Sequence, residues 1–229
     1  LTRQRPQDPF AHALVGATYF LLGNLQEQLR HYELAWEYIG NIWNPIKRAR
    51  GRRAIRAGIK ENMLIQEAEG MPAPTVSIPQ AELTKAKVKP WMFHEAYGDF
   101  LFLGGRTEEA FEQFKKEAEM AKWRAFPYMR MGQILVEWGK HEQAVRYLRR
   151  ALWCIRQRRV RPYVRVWLAY SYLHLGMKRR SRYHLWKWEH LELARGGNKD
   201  RIRAACVYRA LGVLDYLGRD WLKKTFRSS

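Results

Sequence analysis

The chain has 229 residues, of which 47% are hydrophobic, so it is long enough and apolar enough to fold around a core. That composition excludes a mostly disordered protein. With 42 lysines and arginines against 22 aspartates and glutamates, the formal net charge is +20, which indicates an anionic partner such as nucleic acid, an acidic protein or anionic lipid.

Cysteine and hydropathy patterns narrow the class further. Only Cys154 and Cys206 are present, too few and too distant for a disulfide framework or a cysteine metal site, so we expect an intracellular, reducing compartment. The mitochondrial matrix and the cytoplasm both fit. The sequence contains no run of about eighteen apolar residues, so no transmembrane helix is predicted. The chain begins without Met and shows no signal-peptide pattern, so we expect a processed or trimmed start.

The first predicted element is a helical hairpin over residues 9 to 39. Asp8 followed by Pro9 is typical of a helix start, because the carboxylate caps the first turn and proline suits the first helical position. The apolar residues that follow recur with a period of 3.6. A partner helix is expected to complete the hairpin.

Residues 40 to 90 are predicted to form an inserted basic helix and then an extended strap. Seven lysines and arginines occur between residues 47 and 60 with no acid among them, and Pro72, Pro74 and Pro79 mark the strap. The helix is suited to nucleic acid, to an acidic protein, to nuclear targeting or to an anionic membrane. We favour RNA or an acidic protein over a membrane, because the charges are spread too evenly for a clean amphipathic stripe.

Further helical pairs are predicted from residue 91 onward. Gly98 and Gly105 are followed by Gly132 and Gly139, so the same seven-residue spacing recurs after 34 residues. The predicted pairs span 91–124, 125–158 and, with less regular spacing, 162–195, and a partial fifth pair spans about 200–226. Pairs of this length bury their apolar faces by stacking on their neighbours.

The small, aromatic and turn residues of these units resemble the tetratricopeptide repeat family. In the hairpin the matching positions are held by Gly16, Tyr19, Gly23, Tyr32 and Ala35. The resemblance implies an all-α superhelical solenoid of antiparallel helix pairs, with the first helices lining a concave groove and the second helices on the convex side. We therefore expect three regions: an N-terminal hairpin (1–39), the basic insert and strap (40–90), and repeats (91–229) that become strongly basic.

Positive charge is concentrated near the C-terminus. Residues 140 to 229 contain 23 lysines and arginines against 6 acids, and so carry +17 of the +20. Arginine forks match phosphate oxygens, so we predict that this face contacts RNA, with an acidic protein neighbour or a solvated surface as the alternatives. Trp186 and Trp188 either stack on bases or, as we favour, pack between repeats. The predicted RNA- or anion-binding residues are Lys47, Arg48, Arg50, Arg52, Arg53, Arg56, Arg146, Arg149, Arg150, Arg156, Arg158, Arg159, Arg179, Arg180 and Arg182.

The resemblance also implies which residues line the groove. They are Phe10, Phe20, Met92, Phe102, Phe126, Met129, Val136, Tyr163, Tyr170 and Leu173. This apolar set predicts a protein-binding surface, unless the strap at 70 to 90 folds back and fills it. The lysine and asparagine clamp that some family members use for peptide C-termini is not expected. The corresponding positions here hold Ala13, Ala17, Glu95, Asp99, Met129 and Gln133.

No arrangement of residues predicts an active site. Residues 196–199 lack the spacing of a phosphate-binding loop, the sequence has no nucleophile elbow, and the seven histidines have no metal-ligand spacing. We expect no enzyme activity, no cofactor and no metal. The sequence favours a scaffold subunit of a large ribonucleoprotein, such as an organellar ribosome, that binds RNA backbone through its convex face and a neighbouring protein through its groove. The alternative is a protein-protein scaffold or assembly factor, with or without membrane contact, that binds no nucleic acid.

Overall fold

The computed structural model describes residues 6–154 and 161–193, and every regular element within them is helical. The helices are α1 (Pro9–Leu21), α2 (Leu25–Tyr38), a 3-10 turn (Ile39–Asn41), α3 (Pro45–Ala68), α4 (Gln80–Leu83), α5 (Pro90–Leu103), α6 (Thr107–Met120), α7 (Phe126–Glu137), α8 (His141–Cys154), α9 (Arg161–His174) and α10 (Lys178–Leu193). The predicted all-α class, built from helical pairs, is confirmed for these residues. The predicted fifth pair lies outside the described residues.

Two compact units divide the chain, one within Leu1–Ala121 and the other within Lys122–Ser229. The first unit contains the predicted N-terminal hairpin, the basic insert with its strap, and the pair α5–α6. The second unit contains the pairs α7–α8 and α9–α10.

Side-chain caps explain where three helices begin. An oxygen of Asp8 accepts hydrogen bonds from the backbone amides of Phe10 (2.9 Å) and Ala11 (3.3 Å) at the start of α1. Asn24 and Asn44 cap α2 and α3 in the same way, each at 3.0 Å. These bonds satisfy amides that have no partner within the helix, so the start predicted at Pro9 is confirmed.

Turn glycines end the first helix of each pair. Gly105 and Gly139 have φ angles of 79° and 70°, a left-handed conformation that glycine adopts without steric cost. After each of them the next residue donates a backbone hydrogen bond five residues back, from Arg106 to Leu101 (2.9 Å) and from Lys140 to Leu135 (2.8 Å). This C-cap explains why glycine recurs at the predicted turns.

The strap of the first unit packs on the second and third helices. Ile55 and Ile59 of α3 share a buried core with Leu29 of α2, and Ile78 and Leu83 of the strap belong to the same core. The one-turn helix α4 lies within the strap. Apolar burial of this kind fixes an otherwise extended segment on the surface of α2 and α3.

Buried amide side chains join α3 to α2. Asn62 donates to the backbone carbonyl of Leu25 and to Oε1 of Gln28, both at 2.8 Å, and accepts from Gln66 at 2.6 Å. Asn62 and Gln66 are almost completely buried. Because buried polar groups are costly unless they are paired, this network fixes the rotation and register of α3 against α2.

An ionic contact connects the end of α3 to the next pair. Glu69 accepts from the Tyr97 hydroxyl of α5 at 2.7 Å and pairs with Arg106 at 2.6 Å. Arg106 also pairs with Glu109 of α6 at 2.7 Å. The inserted helix is therefore tied to elements on both sides within the first unit.

Candidate functional site

Helix α8 has its arginines on the face opposite its core. The buried residues are Ala144, Val145, Leu148 and Ala151. Arg146, Arg149 and Arg150 are exposed, and none of them makes an ion pair with a carboxylate in the described part of the chain. Three neighbouring guanidinium groups therefore face solvent without an acidic partner from these residues.

Helix α10 repeats this arrangement. Ser181 and Leu185 are buried. Its exposed cations are Lys178, Arg179, Arg180 and Arg182. We call the seven exposed cations of α8 and α10 the basic surface. The remaining arginines predicted for this face, Arg156, Arg158 and Arg159, lie outside the described residues.

Each of the two helices also carries an exposed tryptophan within the basic surface. Trp153 follows Arg146 by seven residues and Trp186 follows Arg179 by seven, so each tryptophan lies on the same side of its helix as the arginine. Trp153 is 76% exposed and Trp186 is 47% exposed. The guanidinium carbon of Arg150 lies 4.4 Å from the Trp153 ring centroid, and Nζ of Lys187 lies 4.7 Å from that of Trp186. Trp153 was not identified as a candidate from the sequence.

His184 supports the basic surface from within. Arg165 of α9 donates to Nδ1 of His184 at 3.3 Å, and the imidazole stacks on Tyr172 with 5.5 Å between ring centroids. Burial, followed by the charges of Arg165 and Arg149, lowers the pKa of His184 to about 4. The imidazole is therefore neutral at neutral pH and can accept the bond from Arg165.

The basic residues of α3 divide into exposed and engaged groups. Four are exposed: Lys47, Arg50, Arg52 and Arg53. Arg56 pairs with Glu82 of the strap at 2.9 Å and lies over the Trp36 ring, and Arg48 donates to the backbone carbonyl of Gly40 at 3.4 Å. Arg48 and Arg56 therefore make contacts within the first unit. Arg52 also lies over the Trp36 ring, at 5.8 Å from its centroid, and Lys60 is half-buried, so the exposed cations of this helix with no described contact are Lys47, Arg50 and Arg53.

The predicted groove residues of the first unit are partly brought together. Phe20 and Met92 line one pocket. Phe10 is 48% exposed and lies beside Gly51 of α3, away from that pocket, and Phe102 is half-buried. No residue of the strap lines the pocket, so the strap leaves this part of the groove open.

The predicted groove residues of the second unit differ in exposure. Phe126, Met129 and Tyr170 are half-buried. Val136 and Leu173 are buried, each with 7% of its surface exposed, because they face the core of their helical pairs, and so they offer little surface to a partner. The side chain of Tyr163 is not among those described.

The pocket of the first unit has a volume of about 330 Å³ and is enclosed by α1, α2, α3 and α5. Its lining residues are Ala17, Phe20, Gln28, Tyr32, Glu61, Asn62, Ile65, Met92, Glu95, Ala96 and Asp99. None of them is a lysine or an arginine. In a chain with a net charge of +20, this pocket is therefore a local acidic site.

Glu61 has a strongly shifted pKa. Burial, with a further contribution from the nearby Glu95 carboxylate, raises the pKa of Glu61 to about 7. The carboxyl group is therefore partly protonated at neutral pH. Glu61 and Asn62 were not identified as site residues from the sequence. The available signal was the spacing of Asn62 and Gln66, which are four residues apart and so lie on one face of the helix, beside isoleucines.

Two features are absent from the described residues. Within residues 6–154 and 161–193, no three His, Cys, Asp or Glu side chains are arranged to hold a metal ion. Over the same residues, no helix combines the length and apolarity needed to cross a membrane.

Comparison with known proteins gives one family match. Residues 127–152, which include most of α7 and α8, match the profile of the tetratricopeptide repeat. Among solved structures, the crystal structure of MamA protein aligns with 83% of this chain and 95% of its own, at 10% sequence identity and a TM-score of 0.46. No curated protein sequence matches the chain.

Proposed function

We propose that the chain, whose residues 127–152 match the tetratricopeptide repeat, is a non-enzymatic scaffold of that family that binds a neighbouring protein through its first unit and RNA through its second. Repeats of this family generally mediate binding to protein partners, and helical solenoids of this kind are typically non-enzymatic. The finer proposal is a subunit of a large ribonucleoprotein, such as an organellar ribosome, in a reducing compartment such as the mitochondrial matrix.

The RNA part of the proposal is carried by one observation, the shared pattern of arginine and tryptophan on α8 and α10. Guanidinium groups bind phosphate oxygens in a bidentate manner, and an exposed indole offers a flat surface on which an unpaired base can stack. Arg146 and Trp153 on α8 correspond in spacing to Arg179 and Trp186 on α10. A polyanion with exposed bases would use both kinds of group together.

Charge repulsion supports a polyanionic partner. The seven cations of the basic surface would repel one another in the free protein, and a phosphate backbone would relieve this repulsion while releasing its counterions. Binding of this kind reads backbone and shape and tolerates many sequences. It also weakens steeply as salt is added.

A scaffold without nucleic acid is the second candidate. It is favoured by the pocket of the first unit, which is suited to a protein segment and requires no RNA. In that case the basic surface would dock on an acidic subunit or on a membrane surface. Strong salt dependence would be common to both candidates, so salt alone cannot distinguish them.

Charge reversal with a matched control tests the RNA proposal. The test variant changes Arg149, Arg150 and Arg179 to Glu, and the control changes the exposed Lys87, Lys116 and Lys122 to Glu, which alters the net charge equally. We expect the test variant to bind a fluorescent 20-nucleotide single-stranded RNA at least about tenfold more weakly, and the control less than about threefold more weakly. Equal losses in the two variants would show that net charge, and not this surface, binds RNA.

Sedimentation of the native protein separates the two candidates. A large particle that RNase disperses is the expected result for a ribonucleoprotein subunit. A large particle that RNase leaves intact would favour the scaffold without nucleic acid.

A further inference from the structure

The pocket between α1, α2, α3 and α5 combines apolar walls with carboxylates from two different helices. We infer that it receives a lysine or arginine side chain presented by a segment of a partner protein. This inference rests on the proposed role of the first unit in protein binding, and it specifies the chemistry of the partner.

The walls of the pocket suit the stem of a long cationic side chain. Phe20, Ile65 and Met92 provide apolar surface, and Tyr32 provides an aromatic ring. Lysine and arginine bury their methylene stems against such surface while keeping the charged end near polar groups, and aromatic rings attract cations to their faces. A volume of about 330 Å³ is at the small end for ligand sites, which fits one or two side chains better than a large cofactor.

Carboxylates of two helices give the pocket its charge preference. Glu95 and Asp99 are four residues apart on α5 and so lie on one side of that helix, and Glu61 faces them from α3. Glu61 makes no ion pair with any residue that the structure describes. An ionised carboxylate in a partly buried site is costly until a cation accompanies it, so a cationic group from a partner would stabilise the ionised form of Glu61.

The helix that carries Glu61 is fixed before any ligand arrives. The neighbouring Asn62 is held by its hydrogen bonds to the Leu25 carbonyl and to Gln28, and both Asn62 and Gln28 also line the pocket. A rigid frame of this kind reduces the ordering that binding requires. The carboxylate therefore does not have to be gathered from a flexible loop.

Charge complementarity favours a lysine or arginine side chain over a peptide C-terminal carboxylate or a metal ion. Residues 61–121 contain eleven acids and six lysines or arginines, so the surrounding sequence adds to the negative character of the pocket. A peptide C-terminal carboxylate would be repelled. The three carboxylates are not arranged to share one metal ion, whereas an ammonium or guanidinium group can be contacted by separate carboxylates.

The test uses the full chain and a phage-displayed library of random twelve-residue peptides. We expect the selected peptides to share one lysine or arginine between apolar residues. The best lysine peptide is then measured by titration calorimetry beside its norleucine analogue, which keeps the stem and removes the charge. We expect the analogue to bind at least about tenfold more weakly, the loss typical of a charge-assisted contact.

Protein variants assign the contact to the pocket. Glu95→Gln and Glu61→Gln are expected to weaken binding at least about tenfold at pH 8, whereas the control Glu67→Gln, an exposed position on the same helix α3, leaves it unchanged. Because Glu61→Gln removes a partly buried charge, we expect this variant to be at least as thermally stable as wild type. Loss of binding in a variant of undiminished thermal stability is then not explained by unfolding.

The outcomes separate the inference from the function on which it rests. Selection of apolar peptides without a cation, with binding lost in Met92→Glu but retained in Glu95→Gln, would overturn the cationic preference and leave protein binding in place. Selection of no peptide at all would overturn both.

Discussion

Gly132 of α7 lies so close to Leu148 of α8 that a β-carbon on Gly132 would be 2.5 Å from Cγ of Leu148. The same relationship, sixteen residues apart in the chain, joins Gly98 to Phe114, where the corresponding distance is 2.7 Å. Such contacts let the two helix backbones of a pair approach closely. Glycine is thus required in the first helix because a large side chain of the second helix packs against it.

We predict that Gly132→Ala destabilises the protein by about 2 kcal/mol. Leu148 is fully buried and has little room to move, so the added methyl group overpacks the pair. The control is Gly40→Ala, because a β-carbon at Gly40 meets no atom within 4 Å. Urea unfolding followed by circular dichroism measures both variants. A Gly132→Ala protein as stable as the control would mean that the helices separate at little cost.

These local rules explain which parts of the fold could be predicted from the sequence. A cap such as Asp8 and a turn glycine such as Gly139 act on residues next to them in the chain, so helix boundaries followed directly from the pattern. The pocket could not be predicted in this way. It depends on Asn62 meeting Gln28, 34 residues away, and on the packing of α3 against both α2 and α5.

The strap shows the same division between local and long-range information. Its prolines predicted an extended segment but not the surface that it covers. That surface is selected by buried apolar residues such as Ile78, and by the pairing of Glu82 with Arg56. Sequence alone therefore assigned Arg56 to an anionic partner, because the carboxylate that it meets comes from another part of the chain.

We predict that Leu83→Ala destabilises the first unit by about 3 kcal/mol. Leu83 is buried in the core that joins the strap to α2 and α3, and its truncation removes apolar contact and leaves a cavity. The control is Ile46→Ala, since Ile46 is exposed and should change the free energy of unfolding by less than about 0.5 kcal/mol. Limited proteolysis should also cut the strap faster in Leu83→Ala. Similar stability of the two variants would show that the strap does not contribute to the core.

His184 should make the protein sensitive to acid. Its pKa is about 4 in the folded chain against 6.5 in the unfolded chain, so the unfolded state binds the proton first as pH falls. The stability that the neutral imidazole contributes is complete above pH 6.5 and is lost as pH falls through 4.

The variant His184→Gln, which carries no titrating group, tests the acid sensitivity. We expect the stability difference between wild type and His184→Gln to shift in favour of the variant between pH 7 and pH 4, by about 1 to 2 kcal/mol because the imidazole is partly screened by solvent. Arg165, Arg149 and Tyr172 surround the imidazole and do not titrate in this range. Parallel stability curves for the two proteins would show that His184 has an ordinary pKa.

Glu61 should have the opposite dependence on pH. Its pKa is raised from 4.5 to about 7 in the folded chain, so the unfolded state loses its proton first as pH rises. Stability from this group is complete below pH 4.5 and is lost as pH rises to 7, by roughly 3 kcal/mol. The titratable groups that line the pocket beside it are Tyr32, Glu95 and Asp99.

Substitution of Glu61 by glutamine removes this penalty, so we predict that Glu61→Gln is more stable than wild type at pH 8 by up to roughly 3 kcal/mol and close to it at pH 4. Glu67→Gln, an exposed change on the same helix, should leave the curve unchanged. A saturating lysine peptide should reduce the advantage of Glu61→Gln at pH 8, because the cation stabilises only the ionised wild-type carboxylate. An advantage that is equal at both pH values would show that Glu61 has the same pKa in the folded and unfolded chain.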